Sequence, residues 1–258
     1  MPETQITPPR PLEPRKTAII VGASSGIGAA LARRLAREGY ILGLVSRSAD
    51  KLEALCAELN RNGASALAFP HDVRDTAATP ERLQQIVAEL GGLDLFVYNA
   101  GTQFPSKLDV FSAEQDIAVF EVNVLGALAW INPVAERFQR AGAGHIVGIG
   151  SIAGDRGRRA LPGYAASKAA LHTYLEGLRN RLTRHGVTVT TIKPGQVDTA
   201  LLKNAEKVRG PISPERAADL IWNAIRKRKQ TAYTPARWAL IGLVIRHIPS
   251  VVMRRLNL

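Results

Sequence analysis

The chain has 258 residues, 46% of them hydrophobic and 22% charged, and a formal net charge of +12. That length suits one large α/β domain or two small ones and buries an ample core without staples. A single cysteine, Cys56, excludes an intrachain disulfide and fits a reducing, cytoplasmic location.

Residues 1–15 carry prolines at 2, 8, 9, 11 and 14 and no apolar run, so a disordered lead-in is expected rather than a signal peptide. Short apolar runs then recur: TAIIVG from Thr17, ILGLVS from Ile41, ASALAF from Ala64, LDLFVYN from Leu93, GHIVGIGS from Gly144, VTVTTIKP from Val187 and a weaker TAYT from Thr231. A helical pattern separates each from the next, several starting at Ser or Thr and stopping at Gly, as caps require. Continuous apolar strands are buried on both faces, which means a parallel sheet covered by helices. The expected fold is α/β, a single Rossmann-type doubly wound sheet of about seven parallel strands over residues 16–234. A basic, apolar tail over 235–258 would follow it. No stretch reaches the roughly 18 continuous apolar residues of a membrane span.

The first strand runs straight into GASSGIG and a helical pattern. Glycines let a backbone approach a pyrophosphate, and the following helix N-terminus offers free N–H groups and a positive dipole end. Gly22, Ser24, Ser25, Gly26, Ile27 and Gly28 are therefore candidate phosphate-binding residues. The second strand ends at Ser46 and Arg47. An acid at that place would accept a ribose 2′-hydroxyl, whereas a guanidinium binds a 2′-phosphate, so the expected cofactor is NADP(H).

Tyr164 and Lys168 lie four residues apart with Ala165, Ala166 and Ser167 between them. On a helix they share a face, and the small residues leave it open to something large. A cation near a phenol favours phenolate, so the pair suits a tuned acid.

Taken in order, these motifs resemble the short-chain dehydrogenase/reductase family over about residues 17–234. GASSGIG is similar to its cofactor turn, and Asp72 and Val73 to its adenine contact. Asn99, Ala100 and Gly101 are similar to its NNAG signature, with Tyr98 in place of the first asparagine. Asn123, Ser151, Tyr164 and Lys168 match its catalytic positions. Pro194, Gly195, Val197 and Thr199 match the loop that closes over the nicotinamide. The resemblance implies that Tyr164 exchanges a proton with a substrate hydroxyl while a hydride moves to or from the nicotinamide. It further implies that Lys168 lowers the tyrosine pKa and holds the ribose. Ser151 would orient the substrate oxygen, and Asn123 would support a water relay. Cofactor contacts then include Tyr164 and Lys168, no metal is expected, and a homodimer or homotetramer is implied.

Arg156, Arg158 and Arg159 follow the candidate serine and suit a phosphate or carboxylate. Only about a dozen residues separate the closing loop from Ser213, a short lid that suits a bulky ketone. From Arg226 onward Arg226, Lys227, Arg228, Lys229, Arg237, Arg246, Arg254 and Arg255 meet no acid. With Trp238 and the apolar run Ala239–Ile245, this composition suits peripheral contact with an anionic membrane. The stretches GDRGRRA, KPGQV and RHIPSVVMRRL are similar to the lipid-linked sugar reductases of the family, in particular the ketoreductase half of decaprenylphosphoryl-ribose epimerase. The expected substrate is thus hydrophobic or lipid-linked. The rival reading is a non-catalytic NADPH-binding sensor or scaffold on the same fold. Nucleic acid is not expected as a partner, because no binding motif or stacking-aromatic array accompanies the charge.

Overall fold

The computed structural model describes residues 16–105, 108–204 and 210–256. The expected lead-in over 1–15 and the middle of the short lid lie outside them. Seven parallel strands form one sheet: β1 (Thr17–Val21), β2 (Ile41–Ser46), β3 (Ser65–Pro70), β4 (Leu95–Tyr98), β5 (Gly144–Ile149), β6 (Val187–Pro194) and β7 (Thr231–Thr234). Their order is β3-β2-β1-β4-β5-β6-β7. The chain winds outward one way from β1 and then the other way from β4, so a crevice opens at the carboxyl ends of these two neighbours.

Residues alternate along β1 between two cores. Ala18 and Ile20 face the layer of α1 (Gly26–Arg37), α2 (Ala49–Arg61) and α7 (Pro214–Arg226), where Leu31, Leu35, Leu52 and Ile221 are buried. Ile19 and Val21 face the layer of α3 (Thr79–Leu90), α5 (Gly126–Ala141) and α6 (Pro162–Leu182), where Ile86, Trp130, Phe138 and Leu175 are buried. Both faces of the central strands are thus dry, which is why their sequences are continuously apolar.

The segment from Ser112 to Ala141 is one helical run with a defect. α4 (Ala113–Phe120) starts at Ser112, whose hydroxyl accepts from the Gln115 N–H at 3.2 Å. A five-residue π-helical turn, Glu121–Leu125, joins it to α5. By length and composition the run Ala113–Ala141 could cross a membrane. Its apolar side chains Trp130, Ile131, Val134 and Phe138 instead fill the core beneath the sheet.

After β7 the chain forms α8 (Arg237–His247) and a short α9 (Ser250–Met253). Gly242 lets α8 lie directly on β7, since a Cβ there would stand 3.1 Å from the Tyr233 ring.

Candidate active site

The β1–α1 turn is shaped by its protein neighbours before any ligand. Gly22 has φ +85, and a Cβ on it would stand 2.5 Å from the Ala100 nitrogen. Asn99, at the end of β4, donates its amide to the Gly22 carbonyl at 2.7 Å. A Cβ on Gly28 would collide with that same carbonyl and with the Asn99 amide. On Gly26 it would meet Thr199 Cγ2 at 2.9 Å. Gly22, Gly28 and Asn99 therefore lock the turn against β4, and the open groups are those of the helix start. The Ser25 side chain makes no capping bond to α1. The first N–H groups of α1 thus keep their donor capacity for a ligand.

These groups border a cleft of about 510 Å³, which Ser24, Ser25, Gly26 and Ile27 line together with Ser46, Arg47, Asp72, Val73, Ala100, Gly101 and Thr199. The Ser46 hydroxyl is buried there without a hydrogen-bond partner. Arg47 beside it is exposed. Asp72 does not present a free carboxylate. The Arg74 guanidinium holds it at 2.6 Å and the Arg74 N–H at 3.0 Å, which keeps its pKa below the usual carboxylate value. Pro194, Gly195 and Val197 lie on the segment leading to the cleft: Gly195 donates to the Thr234 carbonyl at 3.0 Å, and Val197 bridges Ile212.

Beside the cleft, two of the candidate catalytic side chains close on Gly101, one of its lining residues. A Cβ on this glycine would lie 3.3 Å from Lys168 Nζ and 3.4 Å from Asn123 Oδ1. Asn123 sits on the π-helical turn and is fully buried. Its Oδ1 accepts from the Thr102 N–H at 2.8 Å, and its amide donates to the Thr102 carbonyl at 3.1 Å and the Ser167 hydroxyl at 3.0 Å. The turn itself is pinned by Tyr98, whose hydroxyl donates to the Val122 carbonyl at 2.6 Å. The tyrosine that departs from the family's asparagine thus braces the defect that carries Asn123.

Lys168 donates to the Ile149 carbonyl at 3.0 Å, and burial pulls its pKa down to about 8. Burial raises the Tyr164 pKa above its ordinary value, while a hydrogen bond with Ser151 and the charge of Arg158 oppose that rise. The Lys168 ammonium lies 5.8 Å from the Tyr164 ring centre, and the Arg158 guanidinium also acts on the phenol.

The three arginines after Ser151 divide. Arg158 faces Tyr164 and Asp155, and desolvation lowers its pKa. Arg156 donates to the Arg246 carbonyl at 2.8 Å and the Ser250 hydroxyl at 3.2 Å, so it ties the loop to α8 and α9. Arg159 joins Arg156 and Arg254 around a second cleft of about 510 Å³, with Met253 and Leu256 as its apolar wall. Trp238, expected at a lipid headgroup level, is turned inward instead. Its indole covers Gly195, and its N–H is buried without a partner.

Residues 16–210 match the family model for short chain dehydrogenases. The chain belongs to the short-chain dehydrogenase family. An uncharacterised oxidoreductase of Myxococcus xanthus is 39% identical over 186 residues, which is 72% of this chain and 74% of the relative. A short-chain dehydrogenase from Sphingobium yanoikuyae, solved in complex with NADPH, superposes with a TM-score of 0.78 at 29% identity, covering 91% of this chain and 97% of its own. An alcohol dehydrogenase of the archaeon Thermococcus sibiricus, complexed with 5-hydroxy-NADP, gives 0.76 at 28% identity over 85% and 94%. As a short-chain dehydrogenase, the protein is an oxidoreductase of CH–OH and C=O groups that works with a nicotinamide cofactor.

Reasoning from the sequence did not single out Arg74, Asp155, His172, Lys193 or Tyr233. A lone acid among arginines in GDRGRR was the visible signal for Asp155, and Tyr98 was visible only as a departure from the family pattern.

Proposed function

We propose that the chain reduces a ketone to a secondary alcohol, or runs the reverse reaction, with NADP(H). The observation that carries this reading is the placement of Lys168 and Asn123 against Gly101, which lines the dinucleotide-sized cleft, with Tyr164 beside Lys168 and in contact with Ser151. The cleft fits such a cofactor. The uncapped N–H groups of α1, with Ser24 and Ser25, would take the pyrophosphate. The orphaned Ser46 hydroxyl and the Arg47 guanidinium would take a 2′-phosphate. Asn99 to Gly101, Thr199 and Lys168 would flank the nicotinamide half. When bound, the nicotinamide supplies or accepts the hydride.

The protein's own part is proton transfer and positioning. A phenol raised by burial stays protonated at neutral pH, so Tyr164 is a donor to the carbonyl oxygen in the reducing direction. Ser151, hydrogen-bonded to the phenol, places that oxygen. A hydrophobic or lipid-linked substrate is supported by the arginine-lined cleft with its apolar wall beside the Ser151 loop. As assembly we propose a homodimer or homotetramer. The exposed Phe111, Ile117 and Leu125 support it, and sedimentation velocity tests it.

NADPH oxidation against steroid, sugar-phosphate and polyprenyl-linked ketones identifies the substrate. On that substrate Tyr164→Phe is expected to cut kcat by about 10²–10⁴-fold with NADPH binding intact. More than about a tenth of wild-type activity in this variant would remove Tyr164 as the acid.

A further inference from the structure

Asp155 closes the four-residue turn Ile152–Asp155 that begins directly after Ser151. Its side chain is 1% exposed. Lys193, on β6, donates to Oδ1 at 2.5 Å, and the Tyr233 hydroxyl, on β7, donates to Oδ2 at 2.6 Å. His172, on α6 one turn beyond Lys168, places Nδ1 3.9 Å from Oδ1. The fourth side is α8, where a Cβ on Gly242 would stand 2.7 Å from Oδ2. One carboxylate thus joins β6, β7 and α6 beneath the C-terminal helix, and that helix covers it.

The same histidine touches the backbone on both sides of Ser151. Its Nε2 accepts from the Ser151 N–H at 3.4 Å. A Cβ on Gly150 would collide with Nε2, and one on Gly154 would stand 2.7 Å from Cε1. Burial pulls the His172 pKa down to about 3, so the ring is neutral and can accept there. Ser151 cannot shift without moving His172, and His172 is wedged against the Asp155 ion pair. An ion pair buried this deeply is weak evidence for stability, because the desolvation of both charges offsets their attraction. A pair at this place can still fix geometry.

We propose that Asp155 is a positioning residue for Ser151: through Lys193, Tyr233 and His172 it fixes the turn that carries the serine hydroxyl, and α8 completes the site by covering the pair. This rests on the reading that Ser151 orients the substrate oxygen. A mobile Ser151 slows the chemical step without weakening cofactor binding. Misplacement of a positioned group by about 1 Å is worth up to roughly a hundredfold in rate.

The test compares Asp155→Asn, which keeps the side chain's shape and removes its charge, with the apolar double variant Asp155→Leu/Lys193→Met, which removes both charges. Hydrogen–deuterium exchange is followed over residues 148–156, and steady-state kinetics are measured on the full chain. In the double variant the Ser151 turn is expected to exchange at least about tenfold faster, and kcat to fall about 10–100-fold. KM for the ketone and NADPH affinity should change less than about twofold on the same reading. A double variant with wild-type exchange over the turn, or with wild-type kcat, overturns the proposal. The exchange readout needs no turnover, so it stands apart from the catalytic reading. Retained activity in Ser151→Ala and Tyr164→Phe would sink that reading while the tether itself is still judged by exchange.

Discussion

Ser46 and Arg47 carry the proposed choice of NADP(H). Both lie at the carboxyl end of β2, where the serine hydroxyl is orphaned in the cleft and the guanidinium makes no ion pair among the described residues. The second guanidinium nearby, Arg74, is already held by Asp72. On the proposed reading, Arg47 is the cation that would meet a 2′-phosphate. Arg47→Ala is expected to weaken NADPH about tenfold to a hundredfold, the worth of one charge-assisted hydrogen bond, and to leave NADH nearly unchanged. Equal losses for both cofactors in a fluorescence titration would make the residue structural. At this scale the residue types were legible and their partners were not. Asp72 stands out in the sequence, but nothing there says that Arg74 takes its carboxylate. The glycines of the turn are equally plain, yet two of the three serve contacts with Asn99 and Ala100 that only the fold supplies.

Among the elements, the strands were readable because burial on both faces leaves no freedom in composition. All seven apolar runs are strands of the one sheet. The π-helical turn over Glu121–Leu125 was not readable, because no residue type demands it. It is held by long-range bonds, from Tyr98 on β4, from the Thr102 N–H to Asn123, and from the Asn123 amide to the Ser167 hydroxyl. Such turns recur at functional sites, and this one carries the Asn123 amide into the group around Gly101. Asn123→Ala would leave the Thr102 N–H, the Thr102 carbonyl and the Ser167 hydroxyl without the amide they share. The expected loss is about 2–4 kcal/mol of stability, or roughly 5–15 °C in Tm. An unchanged Tm in calorimetry would mean that water replaces the amide and that the bracing lies with Tyr98 alone. The placement of Trp238 was not readable for a related reason. Trp238 and the arginines have the composition of an interfacial segment, but Gly195 and Gly242 make room for an indole and a helix backbone, and those contacts turn the tail onto the active-site loop.

For the molecule as a whole, acid is the expected weakness. Thirty-four Lys and Arg outnumber twenty-two Asp and Glu, so protonating carboxylates and histidines only adds to self-repulsion. Two buried histidines sharpen the effect. Burial pulls His145 down to about 4 and His172 to about 3. An unfolded histidine titrates near 6.5, so between that value and the folded one the unfolded chain binds more protons than the folded chain. Stability is full above about pH 6.5 and is lost as pH falls toward 4, by an amount on the order of a few kcal/mol. Lys168 acts at the other end. Its pKa near 8 against an ordinary 10.5 means that stability gains from its deprotonation as pH rises through that window. Melting temperatures at pH 4.5, 6.5 and 8.5 should therefore show a steep acid limb. His145→Gln, which can keep the bond to Thr190 at 2.8 Å in the parent but cannot take up a proton, should make that limb shallower. A parent whose Tm is flat between pH 4.5 and 6.5 would show that water reaches both rings in the folded state, and the loss of His172 as a neutral acceptor would then weaken the tether assigned to Ser151.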